Sequence, residues 1–568
     1  MKKRILALIL AIVMLTVMLA ACAASETEEA PVATPTPETT NGQDDQNDQD
    51  DQDDQDTPPD DVEDGERAME GNMYLEGLPL VRERETFSLM VMEQFDPTDI
   101  DNFNMVALLE EQTNVHVDWI IMPFDIMTER QALMLATGDL PDVMAGWTVT
   151  SATVVEFGMV EGMFLPLQDY FARLAPNVME ALELPGVRAA MTLPDGNIYS
   201  PPYLIPEPQW FNGLWAYQPW LDELGLDLPT NTDELFDAMV AIRDEFPNSI
   251  PLAMAHHEVW QVFGLFGYPA VNDGLIPVMV NDVPTFTAAT EGYKYGIQWL
   301  RRAWDEGLLD PELFTQDINQ WRAVGRESPA RYGFALMHDA GILGAGIDSD
   351  EGAFDQRLID YVPIHPGTTW SGDPMMWRRG SPGVSMFRNQ LVITENATNV
   401  PTIIRWIDNL YEPVNSMQSW FGTLGNRTYE ISPGVFGNLS EEEQEANDPM
   451  PGSEFPMPMP RFVRSWHWDD FQLDEAGLKT RSVRANADAL WANNMVEMTP
   501  PFWLTPEESD ATSHLVTDIS AFMRQKRAEW ITGVSNIEDE WEDYLAQLDA
   551  LGLQTWMEVV TEAIDRAR

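Results

Sequence analysis

The sequence is short of three things, and each shortage excludes something. Only one cysteine occurs in 568 residues, Cys22, so the chain can form neither an internal disulfide nor a cysteine-built zinc cage. Basic residues are few: 32 Lys and Arg stand against 94 Asp and Glu, a net charge of −62. Nucleic acid and anionic lipid are bound through clustered cations, so neither is expected as a general partner. Enzyme signatures are missing as well. There is no GxxxxGK[ST] phosphate loop, no GxSxG nucleophile elbow, no HExxH and no GxGxxG after the first strand. The remainder is ordinary globular composition, 44% hydrophobic and 10% aromatic, in a chain long enough for at least two domains.

The single cysteine closes a characteristic N-terminus. Lys2, Lys3 and Arg4 precede a mainly apolar run from Ile5 to Ala21, which ends in Leu19, Ala20, Ala21 and Cys22. A basic start, a short apolar run and small residues before a cut make a secretory signal. A plain membrane anchor is the alternative, since 17 residues barely span a bilayer. The Leu-Ala-Ala-Cys ending resembles a bacterial lipobox, in which the cysteine is lipidated and becomes the first residue of the mature chain. Residues 1–22 are therefore expected to be a lipoprotein signal.

Residues 23–66 contain no Lys or Arg and are dominated by Asp, Glu, Gln, Thr and Pro. Such a stretch buries too little apolar surface to offset its ordering entropy. It reads as an acidic, disordered tether extending to residue 76, with an acidic interaction tail as the alternative.

Folded sequence is expected from Gly77. The run TFSLMVM at 86–92 reads as a buried strand, 102–113 has helical spacing, and VHVDWII at 115–121 alternates, which together make a β-α-β unit. Further helices are expected at 127–136, 232–244, 290–306, 401–411, 514–532 and 538–567. Strands are expected near 140–144, 214–217, 333–337 and 390–394. Strands alternating with helices indicate α/β architecture with mostly parallel sheets.

Twenty tryptophans are about three times ordinary usage. Trp147, Trp210, Trp370, Trp377, Trp420, Trp466 and Trp468 fall in stretches that read as loops. An indole is large and flat and carries one N–H donor, which suits stacking on sugar rings. Core packing is the alternative for any one of them. Glu207, Asp373, Arg378 and Arg427 stand beside several and add polar groups. His256, His257 and Glu258 are adjacent and so diverge, which argues against a metal site. The many acidic pairs read as solvated faces, since a glycosidase pair can be recognised only by geometry.

At this point the residues resemble a known group, the extracellular solute-binding proteins of ABC importers, and among them the large oligosaccharide-type lipoproteins of Gram-positive bacteria. The likeness runs through GLPLV at 77–81, EEQTNVHV at 110–117, TGDLPDV at 137–143, LPDGNIYSPP at 193–202 and WLDELGLDLPTNTDEL at 220–235. It continues in EWITG at 529–533 and WEDYL at 541–545. Many relatives carry an EF-hand-like calcium insert after a helix of the second lobe. Here the corresponding stretch, 245–252, reads EFPNSIPL and lacks the alternating oxygen ligands, so no metal is carried over.

The resemblance implies a two-lobed, type II periplasmic-binding-protein-like α/β fold with a hinged cleft between the lobes. It implies a first lobe from 77–210 and 390–450, and a second from 211–389 and 451–568 with C-terminal helices. Crossovers are expected at 199–211, 387–394 and 420–429. Candidate ligand contacts are Trp147, Tyr203, Trp210, Trp260, Trp370, Trp377, Arg378, Trp420 and Arg427. The implied role is non-enzymatic: a monomer without cofactor, held by lipid on the outer face of the cell membrane, that passes an oligosaccharide to permease subunits. A surface glycoside hydrolase and a receptor for a peptide or other non-sugar solute are the rival readings.

Overall fold

A computed structural model describes residues 67–92, 100, 103–206, 213–270, 275–337, 359–365, 367–378, 385–447, 455, 459–496 and 499–568. Cys22, the acidic segment 23–66 and Trp210 lie outside these residues. The described structure already includes the ten residues before Gly77. Met69–Glu70 and Met73–Tyr74 pair as a small hairpin, and Met73 and Tyr74 are buried. Two guanidinium groups hold it down. Arg67 donates to the carbonyls of Leu78 and Pro79 at 2.9 and 3.0 Å, and Arg405 to that of Tyr74 at 2.6 Å. Ties of this kind leave no periodic trace in a sequence.

Along the chain come β1 (Glu85–Met92), α1 (Asn104–Thr113), β2 (Val115–Met122), α2 (Phe124–Thr137), β3 (Val143–Ala145) and α3 (Pro176–Leu182). Then β4 (Tyr203–Ile205) leads to β5 (Gly213–Tyr217), α4 (Thr232–Glu245), β6 (Ile250–Ala253), a 3₁₀ helix (His256–Phe266) and α5 (Glu291–Asp305). After β7 (Tyr332–Met337), β8 (Tyr361–Pro363) and β9 (Trp377–Arg378), the chain passes through β10 (Ser385–Phe387) to β11 (Leu391–Ile393). The helices α6 (Val400–Leu410), α7 (Pro413–Phe421), α8 (Glu475–Trp491), α9 (Pro506–Thr532), α10 (Ile537–Ala550) and α11 (Leu553–Ala567) follow.

Two four-stranded sheets organise this order. The first runs β11-β3-β1-β2, with β1 parallel to both β2 and β3 and β11 antiparallel to β3. The second runs β8-β5-β7-β6, with β7 parallel to β6 and β5 antiparallel to both its neighbours. The sheets are thus mixed rather than mostly parallel, because β11 in the first and β5 in the second run against the direction of their sheet's other strands. β1 is central and covered on both faces, which is why its run of apolar residues is nearly continuous. The edge strand β2 alternates, with Val115 and Val117 buried and Asp118 exposed.

Each sheet nucleates its own core. Phe87, Leu89, Val91, Leu109, Val143, Ile393, Ile404 and Trp406 pack in the first, and Phe455, Met459 and Phe462 join them. Leu214, Trp215, Met239, Leu252, Phe334, Trp491, Trp530 and Ile564 pack in the second. Beside the first core runs a ribbon of three chain segments. Met386 of β10 lies opposite Leu204 of β4, and Leu204 exchanges backbone hydrogen bonds with Arg461 and Val463 at 2.8 and 3.1 Å. The third segment is therefore 461–463. The stretch 420–429 holds the end of α7, a turn closed by Thr428 N–H donating to Thr423 O at 3.1 Å, and the start of a hairpin strand, Thr428–Ser432.

Candidate functional site

Open α/β sheets present ligands at the carboxyl ends of their strands. On the first sheet that place is the loop after β3. Gly146 has φ +148, and a Cβ there would lie 2.4 Å from Cε of Met127. Its N–H donates to Gln390 O at 3.0 Å, pinning the loop to the start of β11. Trp147 follows, 42% exposed. Gln131 of α2 reaches the same loop, donating from Nε2 to Thr148 O at 3.3 Å.

On the second sheet the carboxyl end of β6 runs into the 3₁₀ helix. Three sequence-predicted tryptophans gather around it. Trp260 lies within it and is buried against Phe263 and Tyr293, with ring centroids at 5.8 and 5.9 Å. Trp377 is equally buried, 5.9 Å from Trp491. Both belong to the second core. Trp370 is 38% exposed; its ring sits 4.4 Å from that of Tyr295 and 6.1 Å from Phe266. Tyr295 is an aromatic at this end that sequence reading missed, and its place on α5 gave no loop signal. Arg378 contributes backbone pairing to Val496. Trp210 lies outside the described residues.

A third group forms on the ribbon. Tyr203 faces Phe387 at 5.2 Å, and the guanidinium of Arg461 lies 5.3 Å from Tyr203 and 5.9 Å from Trp420. Arg461 is 2% exposed and donates to the carbonyls of Ser419 and Met459. Burial lowers its pKa. It was not among the expected residues, because nothing in a sequence separates a buried arginine from the common solvated kind. Arg427 is half-buried, and its aliphatic stem fills the space beside Gly422, whose φ is +103. Tyr203 and Trp420 are thus brought together, while Trp147 and Trp370 stand on different sheets.

Among the described residues no group of three or more His, Cys, Asp or Glu side chains could hold a metal ion. At the turn between α4 and β6, Arg331 Nε donates to Asn248 O at 2.6 Å and Arg331 pairs with Glu327 at 2.7 Å. A fixed guanidinium therefore lies against this turn.

The fructooligosaccharide ABC transporter substrate-binding protein FusA of Streptococcus pneumoniae is 26% identical to the chain over 526 residues, 87% of this chain and 92% of that protein. The chain is a homologue of ABC-importer substrate-binding proteins. This homologue also shares 26% identity over 313 residues with the polygalacturonan/rhamnogalacturonan-binding protein YtcQ of Bacillus subtilis, covering 54% and 59% of the two chains. No family model matches. Its fold is the two-lobed α/β fold of solved binding proteins. FusA in complex with kestose superposes with a TM-score of 0.71 at 24% identity, over 85% of this chain and 99% of that one. The alginate-binding protein AlgQ2 without calcium ion gives 0.67 at 21%, again over 85% and 99%.

The stretches that carry the likeness turn out to be fold devices. Asp142 accepts from Ser88 N and Oγ at 2.8 and 2.7 Å, locking the entry of β3 to β1. Asp195 accepts from Asn197 N at 3.0 Å and Tyr199 OH at 2.7 Å. Asn231 caps α4 by accepting from Asp233 N and Glu234 N at 3.1 and 2.9 Å. Family likeness was therefore readable in places that say little about the ligand.

Proposed function

We propose that the chain is the extracellular substrate-binding component of an ABC importer, which captures an oligosaccharide between its lobes and delivers it to permease subunits. The observation that carries this is similarity to a fructooligosaccharide-binding protein along 87% of the chain and 92% of that relative. The relatives are binding proteins, and the role proposed here is likewise non-enzymatic, monomeric and without cofactor. Anchoring would be by lipid on Cys22, at the outer face of the membrane. The described helices include none long and apolar enough to cross it.

The lobes would exchange chain along the ribbon of β4, β10 and 461–463, so the first lobe would run to about residue 463 and the second resume at α8. Exposed indoles at the strand ends, Trp147 on one lobe and Trp370 on the other, would be the stacking surfaces. Hinge closure then buries the sugar between them.

Thermal shift against a saccharide panel that includes kestose tests the reading. A ligand at 100 times its Kd adds about 2.7 kcal/mol of stability, so the right sugar stands out clearly. Binding without products, with a smaller radius of gyration in solution scattering, is the expected result. Release of shorter sugars would make the chain a hydrolase, and stabilisation by peptides alone would make it a peptide receptor.

A further inference from the structure

The base of the Trp147 loop holds three buried oxygens with no hydrogen-bond partner among the described residues: Gln131 Oε1, Thr148 Oγ1 and Gln390 Oε1. Gln131 is 3% exposed and Gln390 6%. Three elements bring them to one place. Gln131 belongs to α2 and holds the Thr148 carbonyl at 3.3 Å. Thr148 lies two residues after Gly146, whose N–H is bonded to Gln390 O at 3.0 Å. Gln390 immediately precedes β11, whose Leu391 lies opposite Ala145 of β3. All three lie at the base of the loop that carries the exposed indole of Trp147.

A buried acceptor without a donor is unfavourable, and native proteins keep few of them. The neighbouring side chains are directed elsewhere. Gln390 Nε2 donates to Arg388 O at 2.9 Å, and Asn389 Nδ2 to Ser151 Oγ at 3.1 Å. The Arg388 guanidinium is turned to the carbonyls of Ala190 and Phe502 and to the face of Trp503. What remains is a stacking surface with two amide oxygens and a hydroxyl, and no charge in the set. The oxygens are covered as the loop stands, so access requires the loop to lift. Lifting it would break the bond from Gly146 N–H to Gln390 O and the one from Gln131 Nε2 to Thr148 O.

We propose that Trp147, Gln131, Thr148 and Gln390 form the first lobe's half of the ligand site and select an uncharged sugar unit over a uronic acid. The proposal rests on the receptor reading above. The ring stacks on the indole while its hydroxyls donate to the three oxygens. A uronate would instead bring its carboxylate to two amide oxygens that can only accept, with the Thr148 hydroxyl as the one donor, in a chain of net charge −62.

The test compares the parent with Thr148→Val, Thr148→Ser, Gln131→Met and Gln390→Met by calorimetric titration. Kestose, maltotriose and cellotriose serve as neutral probes and trigalacturonic acid as the charged one, with the melting temperature of each free protein measured alongside. Thr148→Val removes an oxygen that bonds none of the described residues. It should leave the free melting temperature unchanged or higher and weaken the best neutral probe about fivefold. Thr148→Ser should bind as the parent does, and the two Gln→Met variants should weaken binding by similar factors. Should Thr148→Val fail to fold, the Gln→Met pair carries the same comparison. Unchanged affinity in folded variants, or a parent that prefers trigalacturonic acid, overturns the assignment. A parent that binds no saccharide of the wider panel removes the receptor reading itself, which separates the two failures.

Discussion

A buried carboxylate in the first core shows how one residue can set a pH dependence. Asp408 of α6 accepts on Oδ1 from the backbone N–H groups of Asn177 and Val178 at 2.8 and 3.0 Å, so it caps α3 from another helix. Burial nevertheless pushes its pKa up to about 6, against the pull of those donors and of Arg405. A proton held more tightly folded than unfolded stabilises the fold in acid. That contribution is complete below the ordinary value of 3.8 and is lost as pH rises through about 6. Asp408→Asn keeps an oxygen for both N–H groups and abolishes the titration. It also loses the bond from Asn177 Nδ2 to Oδ2, a cost that does not vary with pH. Measured by urea unfolding, the stability of the variant relative to the parent should rise between pH 4 and pH 7, by up to about 3 kcal/mol. A difference that stays flat across that range would show that Asp408 is not the titrating group. The same scale explains why single site residues were hard to read. Trp260 and Trp377 carry the composition signal of Trp147 and Trp370, but their partners Tyr293 and Trp491 lie far along the chain and bury them.

At the scale of elements the sequence was most legible where periodicity and end signals agree. The β1-α1-β2 unit lies where 86–92, 102–113 and 115–121 placed it, and α4, α5 and α6 differ from expectation by a residue or two. α8 was not expected, because EAGLKTRSVRANADALW has no strong apolar period; among its described side chains Ala487 and Trp491 are buried in the second core, and Val483 and Leu490 pack against it. α9 begins at Pro506, not His514, and the expected single helix over 538–567 is two, broken at Gly552 with φ +96. The start of α9 could have been read from TPEE at 505–508. Thr505 Oγ1 accepts from Glu508 N at 3.2 Å, and Glu508 Oε2 accepts from Thr505 N at 2.9 Å, a reciprocal cap with proline at the first turn. Arg566 at the end of α11 grips the same Glu508 at 2.6 and 2.8 Å. Thr505→Ala should cost about 1 kcal/mol in urea unfolding. Combined with Arg566→Gln, the loss should fall short of the sum of the single losses, because both act through one carboxylate. Strict additivity would mean that cap and ion pair hold the helices independently.

For the whole molecule, charge is the property that no single contact describes. After residue 66 the chain still carries 77 acidic against 29 basic residues, a net charge of −48, with three lysines. The ion pairs among the described residues are mostly at the surface, as in Arg173 with Glu70 and Arg301 with Asp305, and exposed pairs of that kind contribute little. They cannot neutralise an excess of this size, so the folded body repels itself more than the expanded chain does. Screening acts on the repulsion directly. The Debye length falls from about 30 Å at 10 mM salt to a few ångströms at molar salt, so distant like charges cease to interact. The melting temperature in sodium chloride should therefore be higher at 0.5 M than at 10 mM, with most of the gain below 0.2 M, where the Debye length is still comparable with the spacing of surface charges. Sodium and potassium chloride should act alike, because screening depends on ionic strength and not on ion identity. A flat or falling dependence would show that the acids are already compensated locally. A response to one cation far below these concentrations would instead mean specific binding, and the acidic surface would then be a set of sites rather than a uniform field.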